Sequence, residues 1–190
     1  MVIEEIKAKP GNYEKIRFMF QDEARFGRVN VARKCWAPRG TRPIVGSQII
    51  REYTYAYAAV SPVDGVMDSL ILPEVNASIF ELFLREVSSR HLSEYIVMFM
   101  DGASWHKTKK LELPDNMKIL FIPPYSPELN PTEHLWDCIR ENWFPNKTFK
   151  SMDAVEDTLV DALVALENDR NRVQGLTGFH WIINDIMNAT

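Results

Sequence analysis

The sequence predicts an α/β fold in which a mixed β-sheet is flanked by helices. Two continuous apolar runs, 95–100 and 117–122, are typical of buried parallel strands. Alternating residues at 53–58, followed by turn residues and another apolar run, indicate an antiparallel hairpin. Residues 77–90 have the spacing of an amphipathic helix, with Asn76 or Ser78 near its start. Parallel and antiparallel strands together make the sheet mixed.

The first strand comes before the hairpin. The run RFMFQD at 17–22 is short and apolar, which predicts a strand that ends at Asp22. Residues 28–50 are rich in Gly, Pro and Arg and show no period, so we expect an irregular excursion there.

Helices are expected in the last third of the chain. Asn130 and Pro131 indicate a helix start, with Asn130 as the N-cap and Glu133 in the first turn. A second helix is expected to begin near Ser151, and the tail after Asn168 is expected to be helical near its end.

Composition predicts a single domain at 1–190 with its core at about 17–165. The chain has 190 residues, 46% of them hydrophobic, which suits one core. The first residues show neither a secretory signal nor a membrane anchor, so we expect a cytoplasmic protein without a membrane partner. Two distant cysteines make a zinc site or a disulfide framework an unfavoured interpretation. The net charge of −4 argues against nucleic-acid binding by overall charge alone.

Three acidic residues lie at the boundaries of predicted elements. Asp22 and Asp101 each end a predicted strand, and Glu133 opens a helix. Carboxylates gathered in one cleft repel each other unless a cation is bound, and oxygen ligands favour Mg²⁺ or Mn²⁺. Each acid also has a structural interpretation: a turn for Asp101 before Gly102, surface charge for Asp22, and a capping box for Glu133.

Three segments resemble a known family. FQDEARFGR (20–28), VMFMDGASWHKT (97–108) and IPPYSPELNPTEHLW (122–136) resemble the mariner-type and related bacterial insertion-sequence transposases of the DDE superfamily. The resemblance covers about 17–165. It implies a ribonuclease H-like fold in which Asp22, Asp101 and Glu133 are the catalytic acids and hold two Mg²⁺ or Mn²⁺ ions. The implied reactions are hydrolysis at transposon ends and transfer of the freed 3′-hydroxyl into target DNA.

The resemblance also implies a DNA partner and a homodimer in the active complex. Relatives carry helix-turn-helix modules before the catalytic domain. No such segment precedes Arg17, so an end-specific DNA-binding module is expected elsewhere. The predicted DNA contacts are basic residues and one histidine: Arg25, Arg28, Arg33, Lys34, Arg39, His106 and Lys107.

Two other functions remain open at this point. The chain could be a non-catalytic regulatory or decayed fragment that associates with a full-length transposase. It could also be a related two-metal nuclease of repair or RNA degradation, because ribonuclease H-like folds host several such activities.

Overall fold

A five-stranded sheet forms the centre of the molecule. The computed structural model describes residues 13–103 and 111–189, with side chains to 186. The strand order is β3-β2-β1-β4-β5, in which β1 pairs antiparallel with β2 and parallel with β4. The predicted mixed sheet is therefore confirmed. The strands are β1 (Lys15–Val29), β2 (Ile49–Val60), β3 (Met67–Leu72), β4 (Glu94–Met100) and β5 (Met117–Phe121).

Helices cover both faces of this sheet. One face carries α1 (Ala77–Arg90), whose Asn76 cap accepts a hydrogen bond from the Ile79 N–H. Beneath α1 lies a cluster that includes Met19, Tyr57 and Met98. The opposite face carries the larger cluster and the remaining helices: α2 (Thr132–Asn142), α3 (Met152–Glu167), α4 (Arg170–Thr177) and α5 (His180–Ala189). No helix in the described ranges is long and apolar enough to cross a membrane.

The predicted hairpin is confirmed, and its turn needs a glycine. Gly65 has a φ of +66°, in the left-handed region that favours glycine. A Cβ at this position would lie 2.0 Å from the carbonyl oxygen of Arg170, at the start of α4. The hairpin turn therefore packs directly against the C-terminal helices.

The irregular excursion occupies residues 30–48, between β1 and β2. Two hydrogen bonds attach the excursion to the segment after α2. The Asn146 side chain accepts from the Arg33 N–H at 2.8 Å and donates to the Arg33 carbonyl at 3.1 Å. Trp36, for which the sequence allows a core or a surface position, is fully exposed. The tail beyond 168 is helical as predicted, and it adds Val173 and Ile182 to the core beyond the predicted limit of 165.

Ion pairs join the first residues of β1 and β4. Arg17 is buried, and its guanidinium donates to Glu94 and to both carboxylate oxygens of Asp64, the latter at 3.0 Å. Lys15 adds a 2.9 Å contact to Glu94. The paired part of β1 and β4 is thus fixed at one end, and Asp22 and Asp101 lie just beyond its other end.

Candidate active site

Asp22 lies within β1 and does not end it, so the predicted strand end was wrong. The strand continues because β2 remains paired with it as far as Val29, and Asp22 itself pairs with Ala58. The pairing between β1 and β4 does end near Asp22, because its last pair is Phe20 with Phe99. Beyond Phe20 the β4 side of β1 is open, and Asp22 stands at the start of that opening.

The segment before and within α2 fixes the backbone and side chain around Asp22. The Trp136 indole N–H donates to Asp22 Oδ2 at 2.9 Å. Thr132 Oγ1 donates to the Phe20 carbonyl and Asn130 Nδ2 to the Gln21 carbonyl, each at 3.0 Å. These three bonds attach α2 to the open edge of β1, so the side chain of Asp22 has one defined orientation.

Asp101 follows β4 directly, as predicted. Its Oδ1 accepts a hydrogen bond from the Ala103 N–H at 3.0 Å, which is the turn geometry expected of an Asp before Gly102. Continuing the parallel register by two residues from the pair Phe20 and Phe99 places Asp101 beside Asp22. By strand alternation, both side chains lie on the face of the sheet that carries α2.

Glu133 is the second residue of α2, which starts one residue later than the predicted Asn130 cap requires, because Pro131 occupies the N-cap position. Asn130 instead ends a 3-10 turn (Pro127–Leu129), and its Oδ1 accepts from the Thr132 N–H at 3.2 Å. The Asn130 N–H donates to the Pro127 carbonyl, so it is not the partner that a capping box would give Glu133. Glu133 is half-buried and directed to the cleft beside the helix.

All three acids line one cleft of about 460 Å³, called the acid cleft below. Its remaining wall comes from the turn after β4 and the proline-rich loop after β5; no Lys or Arg is among the described residues that line it. Tyr125 in that loop has a φ of +60° and a fully exposed side chain. Within the described ranges, no three His, Cys, Asp or Glu side chains lie close enough to hold an ion as they stand. Neighbouring carboxylates repel one another when no cation lies between them.

The pKa of Asp22 reflects its burial and its position beside Glu133. Burial raises the pKa of Asp22, the negative charge of Glu133 raises it further, and the Trp136 N–H bond opposes both; the result is a pKa of about 7. A carboxylate so disfavoured in its ionised form is stabilised by a nearby cation. The acid cleft therefore has the donor type and the electrostatics that fit a divalent metal ion.

The predicted DNA contacts divide into two groups. Lys34 and Arg39 are exposed on the excursion, and Arg25 is exposed with its guanidinium 4.4 Å from the Tyr53 ring centre. Arg28 is partly buried: it pairs with Glu52 at 2.7 Å and donates to the carbonyls of residues 149 and 150. Its contact with DNA stays a prediction.

Arg33, His106 and Lys107 are the remaining predicted DNA contacts. Arg33 pairs with Glu141 at 3.2 Å in an exposed contact. His106 and Lys107 lie outside the described residues. The sequence holds no local signal for the bond between Trp136 and Asp22, and the sequence analysis did not predict it.

Comparison with known proteins decides the family. Residues 17–156 match the family model described as DDE superfamily endonuclease. The chain belongs to this family. The DDE resemblance read from the three sequence segments is thereby confirmed. A relative in Sinorhizobium fredii (strain NBRC 101917 / NGR234), the uncharacterized protein y4pE/y4sA, is 38% identical over 104 residues, which are 54% of this chain and 77% of the relative.

Solved structures of the Mos1 transposase share the fold of this DDE endonuclease. A pre-cleavage Mos1 transpososome has a TM-score of 0.61 at 16% identity, covering 92% of this chain and 57% of the Mos1 chain. The Mos1 mariner paired-end complex with Mn gives 0.59 at 17% identity, covering 92% and 56%. The chain thus spans less than three fifths of these relatives. The predicted ribonuclease H-like fold is confirmed.

Proposed function

We propose that this DDE endonuclease is the catalytic domain of a DNA transposase. It would hydrolyse phosphodiester bonds at transposon ends and join the freed 3′-hydroxyl to target DNA. The observation that carries the proposal is the acid cleft, where Asp22, Asp101 and Glu133 come together from a strand, a strand end and a helix start. Their roles as catalytic and metal-binding residues are part of the proposal.

The metal partner follows from the donor set. Carboxylate oxygens select hard ions, so we propose two Mg²⁺ or Mn²⁺ ions held by the three acids. Such a pair, when bound, activates the attacking oxygen and stabilises the leaving oxygen. The chain's own residues supply the geometry: Trp136 orients Asp22, and the Asn130 and Thr132 bonds keep α2 against β1. Solved Mos1 mariner paired-end complexes with Mn and with Mg support the choice of ions.

DNA is the proposed substrate, both as transposon ends and as target. The proposed backbone contacts are the seven residues predicted from the sequence: Arg25, Arg28, Arg33, Lys34, Arg39, His106 and Lys107. Solved Mos1 complexes hold a transposon end in a paired-end arrangement, which supports a homodimer as the active form. We propose that a separate module recognises the end sequence and that the enzyme acts in the bacterial cytoplasm, where the DNA is.

Metal binding is the first test, because it needs no knowledge of the end sequence. Mn²⁺ is titrated by calorimetry into the wild type and into Asp22→Ala, Asp101→Ala and Glu133→Ala. We expect each Asp variant to weaken Mn²⁺ binding by roughly tenfold or more, and Glu133→Ala to have a smaller effect. Asp157→Ala is the matched control, since Asp157 is an exposed acid on the outside of α3.

Two results would contradict the proposal. Wild type could fail to bind Mn²⁺ at millimolar concentration, or the Asp22 and Asp101 variants could bind as Asp157→Ala does. Either would leave a non-catalytic partner of a full-length transposase as the better interpretation. If binding is found, Mn²⁺-dependent nicking of supercoiled DNA, lost in Asp101→Ala, tests the reaction itself.

A further inference from the structure

A second cleft, of about 270 Å³, has the opposite charge to the acid cleft. It is called the basic cleft below. No Asp or Glu is among the described residues that line it. Its cationic residues come from β1, the excursion, α2 and the segment after α2: Arg25, Arg33, Arg140 and Lys147. Its floor is aromatic, made by Phe26, Tyr53, Phe144 and Phe149. Four cations in one concave surface contrast with the net charge of −4 on the chain.

The same two elements lead from the acid cleft to the basic cleft. Along β1 and α2 the contacts advance in step, from Thr132 with Phe20 to Trp136 with Asp22 and then Arg140 with Phe26. Four residues of strand separate Asp22 from Phe26, which is about 13 Å. Seven residues of helix separate Glu133 from Arg140, which is about 10 Å. The two clefts are therefore neighbours along one direction.

Aromatic rings hold two of these cations in place. The Arg25 guanidinium lies 4.4 Å from the Tyr53 ring centre and that of Arg140 lies 5.4 Å from the Phe26 ring centre. Stacking fixes a guanidinium while its N–H groups stay available to a ligand. Arg140 reaches the nearest acid of its own helix, Asp137, only at 4.0 Å. Lys147 is exposed, and no ion pair is recorded for it within the described ranges.

We propose that the basic cleft binds the sugar-phosphate backbone of the DNA strand whose phosphodiester reacts in the acid cleft. The inference rests on the proposed function. A separation of about 10 to 13 Å corresponds to roughly three to four nucleotides at about 3.4 Å each along the duplex axis. Arg140 and Lys147 are thus positioning residues for the strand, held away from the reacting phosphodiester. A polyanion matches the cleft because its cations come from four separate segments.

Salt dependence of DNA binding tests this proposal. Binding of a short fluorescent duplex is measured by anisotropy at several salt concentrations, in EDTA so that no metal ion bridges the acids and the DNA. Arg140→Gln/Lys147→Gln is compared with Arg85→Gln/Arg170→Gln, which removes the same charge from exposed residues outside the cleft. We expect the slope of log affinity against log salt to fall by roughly two in the cleft variant and to change little in the control.

Three outcomes would overturn the proposal. The cleft variant could keep the slope of the control, the wild type could fail to bind the duplex, or inorganic phosphate could compete as well as DNA at equal phosphate concentration. The last would mean a small-anion site. Lys147→Gln alone, at a fully surface position, is expected to lower the slope by about one even if Arg140→Gln disturbs folding.

Failure here is distinguishable from failure of the proposed function. The cleft variant is expected to bind Mn²⁺ as the wild type does, because none of its changes is in the acid cleft. Normal Mn²⁺ binding with an unchanged salt slope would reject the basic cleft and leave the transposase proposal in place.

Discussion

Trp136 links the hydrophobic core to the acid cleft. It is almost completely buried, packs edge-on against Phe26, and donates its indole N–H to Asp22. Trp136→Phe keeps an aromatic ring but removes that donor. A hydrogen bond to a metal ligand orients that ligand. We therefore expect Trp136→Phe to bind Mn²⁺ about tenfold more weakly than the wild type, as measured by calorimetry.

A second tryptophan controls for general effects of this change. Trp143 lies just after α2 and stacks under Arg172 at 5.1 Å, with no bond to an acid of the cleft. Trp143→Phe should reduce stability without changing Mn²⁺ affinity. Equal Mn²⁺ affinities in the two variants would show that the indole bond does not orient Asp22.

The Gln21 side chain is polar and buried, and its burial lowers the stability of the fold. Its amide N and O are fully buried and have no hydrogen-bond partner in the structure as described. An unsatisfied buried amide costs about 1 to 3 kcal/mol. Gln21→Met, of similar length but apolar, is therefore expected to raise the melting temperature by roughly 2 to 4 °C per kcal/mol recovered.

Gln48 offers the opposite case for the same substitution. Its side chain donates to the Phe149 carbonyl at 2.8 Å and accepts from the Phe149 N–H at 2.8 Å. Gln48→Met should lower the melting temperature, measured by calorimetric scanning. If Gln21→Met is destabilising too, Gln21 has a partner in solution and its amide contributes to the fold.

At the scale of elements, the ion pairs between β1 and β4 predict a response to acid. Burial would raise the pKa of Glu94, but hydrogen bonds from Arg17 and Lys15 outweigh it and hold the pKa at about 2. A carboxyl whose pKa is lowered by folding stabilises the protein above its unfolded value of 4.5. That contribution is lost as pH falls from about 4.5 towards 2.

Urea unfolding at pH 7 and at successively lower pH measures this loss. Glu94→Gln should be less stable than wild type at pH 7 and should show a flatter decline over the acid window, because Gln does not titrate. Glu112→Gln is the control, since Glu112 pairs with Arg85 on the surface. Parallel declines in wild type and Glu94→Gln would show that other carboxylates dominate acid unfolding.

The length of β1 shows what the sequence could and could not predict. Its apolar start was clear, but the predicted end at Asp22 ignored the alternation that continues through Ala24 and Phe26, both buried. The charged residues between them, Glu23 and Arg25, occupy the opposite face of the strand. The predicted α2 start was one residue too early, because Asn130 is the C-cap of a 3-10 turn and Pro131 takes the N-cap position. The Asn130 side chain instead donates to the Gln21 carbonyl and accepts from the Thr132 N–H.

At the scale of the whole molecule, the three acids were accessible to sequence analysis and their surroundings were not. Asp101 and Glu133 stand next to recognisable element boundaries, and the quoted segments carry all three acids. The Trp136 bond to Asp22 spans 114 positions, and the Arg28 bond to the Phe149 carbonyl spans 121. Only the packing of α2 and the following segment on β1 brings such partners together.

Charge is also separated at this scale. The net value of −4 hides two clefts of different charge: among the described residues, no Lys or Arg lines the acid cleft and no Asp or Glu lines the basic cleft. A chain of modest overall charge can therefore attract a polyanion to one surface while keeping a cation-binding surface beside it.

The strict alternation of β1 has a consequence for how this chain can change in length. Phe18, Phe20, Ala24 and Phe26 face the same core as Asp22, so one inserted or deleted residue within 18–26 puts Asp22 out of phase with the core residues on one side of the change. Added residues in the excursion at 30–48 leave that register untouched. Active relatives of different length should therefore place their insertions after β1, never within it.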